Sequence, residues 1–293
     1  MRILIAGSSG FIGSALVDEL RRAGHEVLRL VRGEPVAEDE RNWDPPRGTV
    51  ADGAFDGVEA VVNLCGSSLL GRWSAARKQM IRNSRIEPTE VLAEAVAEHR
   101  VPVLVNASGI AYYGDTADVA VDESHGPGEG FMAQLCVEWE RATGPARGAG
   151  TRVVSVRTGL VLAGHGGLLR LLEPVFLLAL GGRLGSGAQY MSWISLSDEV
   201  AAIRFAIEHG SVSGPVNLCA PGPVTNREFT RALARQVNRP APWTVPAPVL
   251  RVALGEAAEE TALISQRVLP AALSSAGFEF AHTDLDTALA DLL

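Results

Sequence analysis

Arg2-Ile-Leu-Ile-Ala6-Gly7-Ser-Ser-Gly10-Phe-Ile-Gly13 opens the chain and runs into Ser14–Ala23, whose apolar residues recur at helical spacing. The short isoleucine-rich run reads as a buried strand, and the segment after it as an amphipathic helix. Between them the glycines follow a GxxGxxG spacing, and each suits a strand-to-helix turn. The first permits the tight turn, the second lets backbone N–H groups approach a pyrophosphate, and the third lets helix and strand pack closely. The unpaired N–H groups and the positive end of the helix favour phosphate oxygens. A glycine-rich turn that holds nothing is the alternative. The position between strand and helix, at the start of a βαβ unit, favours a dinucleotide site.

The second strand-like run, His25-Glu-Val-Leu-Arg-Leu-Val31, is followed by Arg32. A carboxylate at this tip would accept hydrogen bonds from a ribose 2′-hydroxyl and repel a 2′-phosphate, whereas a guanidinium can fork onto that phosphate. Arg32 therefore points to NADP(H) rather than NAD, the alternative being one more solvated arginine in an arginine-rich chain.

Outward from this unit the first half alternates strand and helix. Ile3–Ala6, Glu26–Val31, Ala60–Leu64, Pro102–Ala107 and Arg152–Arg157 read as strands; Ile12–Ala23, Ala75–Arg82, Glu90–Arg100 and Met132–Thr143 read as helices. That rhythm predicts an α/β fold, a Rossmann-type doubly wound parallel sheet. Trp193–Leu196 and Asp198–Glu208 read as a strand and helix returning to the same sheet. Residues 161–192 are rich in Gly and Leu, and prolines recur from Pro215 to Pro248. The expected division is a dinucleotide-binding domain over 1–160, with 193–213 returning to its sheet. Residues 161–192 and 214–293 then form a smaller, interleaved C-terminal lobe on the substrate side.

The bulk properties narrow the partners. The chain has 293 residues, 47% of them hydrophobic and 20% charged, with a net charge of −8 and no basic stripe. Neither a nucleic acid nor an anionic membrane is expected as a partner. Cys65, Cys136 and Cys219 are scattered, and the six histidines fall singly, so no metal site is expected. The apolar stretch Leu168–Leu180 is interrupted by Arg170, Glu173 and Pro174, too short and too charged to span a bilayer. No secretory leader is expected, which makes a cytoplasmic location the default. Nothing bears on the oligomeric state.

With Gly7–Gly13, Val61-Val-Asn-Leu-Cys-Gly66 and Ala107-Ser-Gly-Ile-Ala-Tyr-Tyr-Gly114, the chain resembles the extended short-chain dehydrogenase/reductases. Asn83-Ser-Arg-Ile, Trp139-Glu140, Arg157-Thr-Gly-Leu-Val-Leu, Met191-Ser-Trp-Ile and Pro223-Val-Thr-Asn-Arg-Glu-Phe narrow the resemblance. It falls to the atypical "epimerase family" branch that includes short-chain dehydrogenase/reductase family 39U. The part from about Pro246 resembles that branch's C-terminal small domain. The resemblance covers essentially the whole chain. It implies that backbone around Gly10, Phe11 and Ile12, with Gly7, Ser9 and Gly13 in the same turn, holds a pyrophosphate. It places Asp44 near the adenine, and Leu64, Cys65 and Gly66 along the cofactor. Arg85 stands where relatives carry a cofactor-proximal asparagine, and could contact phosphate or substrate or form an ion pair on the helix surface.

Oxidising and reducing members use a Ser/Thr, a Tyr and a Lys four residues after it. Here Thr116, Ala117 and Ile194 stand four residues beyond Tyr112, Tyr113 and Tyr190, and the one lysine is Lys78. Aligning on Trp139-Glu140 puts Met132 and Cys136, or Phe131 and Leu135, at the two positions. Counting back from Tyr113 puts Gly109 at the usual serine position, with Ser108 one residue early. The standard triad is absent. Tyr113, Ser108 and Glu138 (or Glu140) are the remaining candidates for acid–base work, each with a purely structural alternative; Ser108 would also lie by the cofactor. Gln189, Tyr190 and Trp193, in a glycine-flexible stretch between the lobes, are candidates for an unidentified carbonyl or sugar-type substrate, or else form a structural loop. Two functions follow: an NADP(H)-dependent oxidoreductase or epimerase, or a non-catalytic NADP(H)-binding sensor or scaffold.

Overall fold

A computed structural model describes residues 1–293. Its strands are β1 (Arg2–Ala6), β2 (Glu26–Val31), β3 (Glu40–Asp44), β4 (Thr49–Val50), β5 (Ala60–Asn63), β6 (Val103–Gly109), β7 (Arg152–Thr158), β8 (Leu160–Ala163), β9 (Gly182–Leu184), β10 (Tyr190–Met191), β11 (Trp193–Ser195), β12 (Gly214–Leu218), β13 (Val224–Thr225) and β14 (Trp243–Val245). The helices are α1 (Phe11–Arg22), α2 (Ala75–Glu98), α3 (Phe131–Arg141), α4 (Gly144–Gly148), α5 (Gly167–Leu177), α6 (Leu196–Glu208), α7 (Asn226–Gln236), α8 (Ala247–Leu254), α9 (Ala271–Ser275) and α10 (Leu285–Leu292).

Eight strands form the main sheet in the order β12-β7-β6-β5-β1-β2-β3-β4, parallel throughout except for β4. Alternation along β1 shows why the apolar runs are strands. Ile3 and Ile5 pack with Leu16 and Leu20 of α1 and Ile203 and Ile207 of α6 on one face. Leu4 and Ala6 pack with Leu92 and Val96 of α2 and Ala146 of α4 on the other. Successive side chains point to opposite faces, so a strand covered on both sides must be apolar throughout.

Three expectations are corrected. The two helices expected over 75–82 and 90–100 are one 24-residue helix, capped by Ser74, with Pro88 inside it. Pro88 forfeits one backbone bond, but Ile81, Ile86, Leu92, Ala93 and Val96 are buried on either side of it and carry the helix through. β11 does not rejoin the main sheet: it pairs in parallel with β8 in a separate two-stranded sheet. The return is made by α6, packed on α1, and by β12 beside β7, so residues 214–218 belong to the large sheet rather than to the lobe. Pro215 hid this strand, yet it sits on the sheet's edge, where a missing N–H is tolerated.

The C-terminal part is threaded through the fold rather than appended to it. Thr116 N–H donates to the Ser265 carbonyl, Val121 N–H to Arg267, Leu269 N–H to Val121 and Gln266 N–H to Tyr190, all at 2.8–3.0 Å. Val268 is fully buried against Ile110, Tyr113, Val121 and Cys219. No helix is long and apolar enough to cross a membrane.

Candidate active site

The C-terminal ends of β1, β2, β5, β6 and β7 bring the expected residues to one edge of the sheet, where ligands of open parallel sheets bind. Gly7 leaves β1 with φ +82°, and a Cβ there would lie 2.8 Å from the Leu64 carbonyl. A methyl group on Gly13 would run into the Gly7 carbonyl oxygen. Gly10 caps α1 without a side-chain bond, and the N–H groups of Phe11, Ile12 and Gly13 have no partner within the protein. Three unpaired donors at the positive end of a 12-residue helix, crowded by glycines that admit no side chain, suit a diphosphate. Ser9 lies exposed in the same turn. The Phe11 ring lies against Gly166 and Gly167, where any Cβ would meet it, and so brings the start of α5 to this turn.

Arg32 follows β2 and is exposed. The acids near that strand are already engaged, Asp39 by Arg29 (2.6 Å) and Arg21, and Glu40 by Arg29 (3.1 Å). Arg32 itself makes no ion pair, and its charge is free for a ligand. Asp44 ends β3, half-buried, with Arg47 at 3.4 Å. At the end of β5, Leu64 N–H donates to the Ala6 carbonyl at 2.9 Å and Cys65 N–H to Asn63 Oδ1 at 3.1 Å. Burial pushes the Cys65 thiol up to about 12, so it is no nucleophile near neutral pH.

Of the two pairs of positions expected on α3, Phe131 is half-buried and Leu135 buried, and the face of Met132 and Cys136 continues to Glu140 at successive turns. Met132 and Cys136 are buried, and burial pushes the Cys136 thiol up to about 12. One turn on, Glu140 accepts from Ser108 Oγ at 2.8 Å and from Arg157 twice, Nε to Oε1 at 2.7 Å and Nη2 to Oε2 at 2.8 Å. Arg157 Nη1 donates to the Tyr113 hydroxyl at 2.9 Å, which donates to Asn217 Oδ1 at 2.8 Å. The guanidinium also stacks 3.4 Å from the centroid of the Tyr112 ring.

Several expected roles change on this geometry. Tyr113 is an interior residue, 5% exposed, its proton aimed at Asn217 and its pKa raised by burial to about 12. Ser108 is buried and committed to Glu140. Glu138 points the other way, pairing with Arg82 at 2.7 Å on the surface. Trp193 is fully buried, its Nε1 donating to the Gly222 carbonyl at 2.9 Å among Leu162, Phe176 and Phe229, and cannot meet a substrate. Gln189 is buried and spends its amide on the carbonyls of Leu184 and Ala262, both at 3.1 Å. Tyr190 is half-buried, with the Arg267 guanidinium 4.8 Å from its ring centroid. Arg85 is buried rather than on the helix surface and pairs with no carboxylate. The Glu140–Arg157 pair went unread because its partners lie on α3 and β7. The signal available was the four-residue spacing from Met132 through Cys136 to Glu140.

Two family models match the chain. The NAD dependent epimerase/dehydratase family matches residues 3–219, and a domain of unknown function (DUF1731) matches residues 245–292. An epimerase family protein of Mycobacterium bovis is 55% identical over 288 residues, covering 98% of this chain and 96% of its own length. The crystal structure of human epimerase family protein SDR39U1 (isoform 2) with NADPH superposes with a TM-score of 0.92 at 32% identity, covering 100% of this chain and 99% of that one. A nucleoside-diphosphate sugar epimerase from Corynebacterium glutamicum superposes at 0.83 with 37% identity, covering 100% of this chain and 58% of that one. By the match over residues 3–219 and the match over residues 245–292, the chain belongs to the NAD dependent epimerase/dehydratase family, as an epimerase family protein with a DUF1731 C-terminal domain.

Proposed function

We propose that the protein binds NADP(H) across the Gly7–Gly13 turn and uses it on a small carbonyl or sugar-type substrate, as an oxidoreductase or epimerase with non-standard acid–base groups. The observation that carries the cofactor is the uncapped start of α1 with its three unpaired N–H groups, together with an unpaired Arg32 at the tip of β2. Arg32 would take the 2′-phosphate, Asp44 would lie toward the adenine, and Leu64–Gly66 would run along the cofactor. The similar human protein was crystallised with NADPH, which supports the choice of phosphorylated dinucleotide. When bound, the nicotinamide supplies hydride transfer; the chain's own part is to hold it and to exclude water. A cytoplasmic location, without nucleic-acid or membrane partners, belongs to the same reading.

Thermal unfolding with NADP⁺, NADPH, NAD⁺ and NADH at equal concentration tests it. A ligand at about a hundred times its dissociation constant adds roughly 2.7 kcal/mol, a shift of about 5–10 °C here. A shift confined to the phosphorylated pair is expected, and Arg32→Asp should move the preference to NAD(H). NADPH affinity untouched by that change would remove Arg32 from the site. Gly13→Ala is expected to abolish NADPH binding and to cost about 1–3 kcal/mol, since the added methyl forces the turn apart. Unchanged NADPH affinity in that variant would move the diphosphate elsewhere.

A second reading, a non-catalytic NADP(H)-binding sensor or scaffold, is favoured by two observations. Neither Met132 and Cys136 nor Phe131 and Leu135 offers an acid or a cation, and the Tyr113 hydroxyl is buried between Arg157 and Asn217. Steady-state turnover of bound NADPH with a panel of carbonyl compounds separates the two readings.

A further inference from the structure

Arg85, on α2, is a buried cation without an acid beside it. Its side chain lies in a residue only 7% exposed, donating to the Ile81 carbonyl (3.0 Å), Ser84 Oγ (3.3 Å) and the Ser67 carbonyl (3.1 Å), while Nε has no partner. Every acceptor is neutral. Burial pulls the guanidinium down to about 10, which leaves it charged at neutral pH. The acids on neighbouring elements are spent elsewhere: Glu138 on Arg82, Glu140 on Arg157, Glu256 on Lys78, and Glu260 on the first N–H groups of α3.

Exposed Gly66 lies directly over this group: a Cβ there would be 3.2 Å from Arg85 Cζ and Nη2. A second guanidinium, half-buried Arg77, donates to the Ser68 carbonyl and also lacks a carboxylate. Two arginines thus grip consecutive carbonyls of the Gly66–Ser68 bend, and neither charge is neutralised. A buried charge left unpaired is costly, and a packed apolar side chain would serve stability better. Gly66 follows β5, the strand beside β1, and Arg85 faces the Trp139 ring at 5.2 Å, so the two guanidinium groups belong to α2 rather than to the Gly7–Gly13 turn.

We propose that the Gly66–Ser68 bend seats an oxyanion carried by the substrate, a carboxylate or a phosphate, with Arg85 and Arg77 supplying the charge. The inference rests on the NADP(H) reading, because it places this group beside a bound cofactor. Charge-assisted and forked hydrogen bonds from guanidinium groups are well matched to either anion.

The test is to melt NADPH-saturated protein with sodium phosphate, sodium malonate or sodium chloride at matched ionic strength. Saturating NADPH occupies the α1 turn, so any response to phosphate reports a second place. The expected result is a rise of several degrees over chloride with at least one probe, lost in Arg77→Gln and in Arg85→Gln while NADPH affinity stays within about twofold. A response to phosphate alone marks a phosphorylated substrate, and to malonate alone a carboxylate. The site is overturned if neither probe exceeds chloride, or if the shift survives both substitutions. It is equally overturned if Arg85→Gln weakens NADPH by more than about tenfold, which would hand the guanidinium to the cofactor. Should Arg85→Gln not fold, Arg77→Gln decides alone. A wild-type protein that ignores NADPH removes the cofactor reading and this site together, whereas NADPH binding without an oxyanion response removes this site only.

Discussion

Replacing Glu140 with alanine is expected to cost about 3–5 kcal/mol of folding stability, because it strands a buried guanidinium. The Arg157 side chain is 3% exposed and that of Glu140 15%, and the fork between them is closed at both ends, at 2.7 and 2.8 Å. The same carboxylate takes the Ser108 hydroxyl, so its removal unties β6, α3 and β7 at once. Taking out both charges is a different matter. The double variant Glu140→Ala/Arg157→Met leaves no orphan and should recover much of the loss, since buried pairs replaced by apolar groups are often close to neutral. Urea unfolding of the two single variants and the double variant closes the cycle. A single-variant loss below about 1 kcal/mol would make the pair no stronger than a surface contact and would free Tyr113 from its assigned interior role.

Glu199→Gln should stabilise the protein, and increasingly so as the pH rises. Glu199 is fully buried near the start of α6; Thr158 Oγ1 donates to Oε1 at 2.8 Å, and Oε2 has no partner. Burial pushes its carboxyl up to about 8, against an ordinary 4.5. The folded chain therefore holds a proton that the unfolded chain releases. Stability is fully present below about 4.5 and is lost through the window up to about 8, by roughly 1.4 kcal/mol per pH unit. Glutamine copies the neutral form and has no such slope. Unfolding midpoints measured from pH 5 to 8.5 should fall for the wild type and stay nearly flat for the variant, with a gap on the order of 3 kcal/mol at pH 7. Parallel curves would mean that the carboxylate is solvated or paired in the folded state.

The sequence showed most where one physical signal acts alone. The Gly7–Gly13 turn, β1, β2, β6 and β7 were legible because a strand covered on both faces must be apolar and a tight turn beside a helix must be glycine. Helix α2 was not, since Pro88 ordinarily stops a helix and only the burial of Ile81, Ile86 and Leu92 overrides it. β12 was hidden by Pro215, whose tolerance depends on edge position, a property of the assembled sheet. That Lys78, the one lysine, follows no tyrosine at a four-residue spacing was visible from the sequence alone. The cluster around Arg157 was not: Glu140, Arg157, Tyr113 and Asn217 come from four separate parts of the chain. Arg85 could be read as cofactor contact, substrate contact or surface ion pair, and burial without a carboxylate excludes the last. Trp193 and Gln189 misled because a glycine-rich stretch suggested exposure, whereas Phe229 and the Ala262 carbonyl enclose them.

The threading of Ser265–Leu269 between the 116–121 segment and Tyr190 has a consequence for how the chain comes to be folded. Val268 closes the cluster that holds Ile110, Tyr113, Val121 and Cys219, so a core begun by residues 110–121 is completed only by a segment made about 150 residues later. Contacts about 150 residues apart in sequence close large loops, which slows folding. Until that segment arrives, the nascent first 219 residues carry an open apolar seam and depend on being kept from other chains. Truncation before Pro246 should therefore yield an aggregating fragment rather than a free-standing cofactor domain.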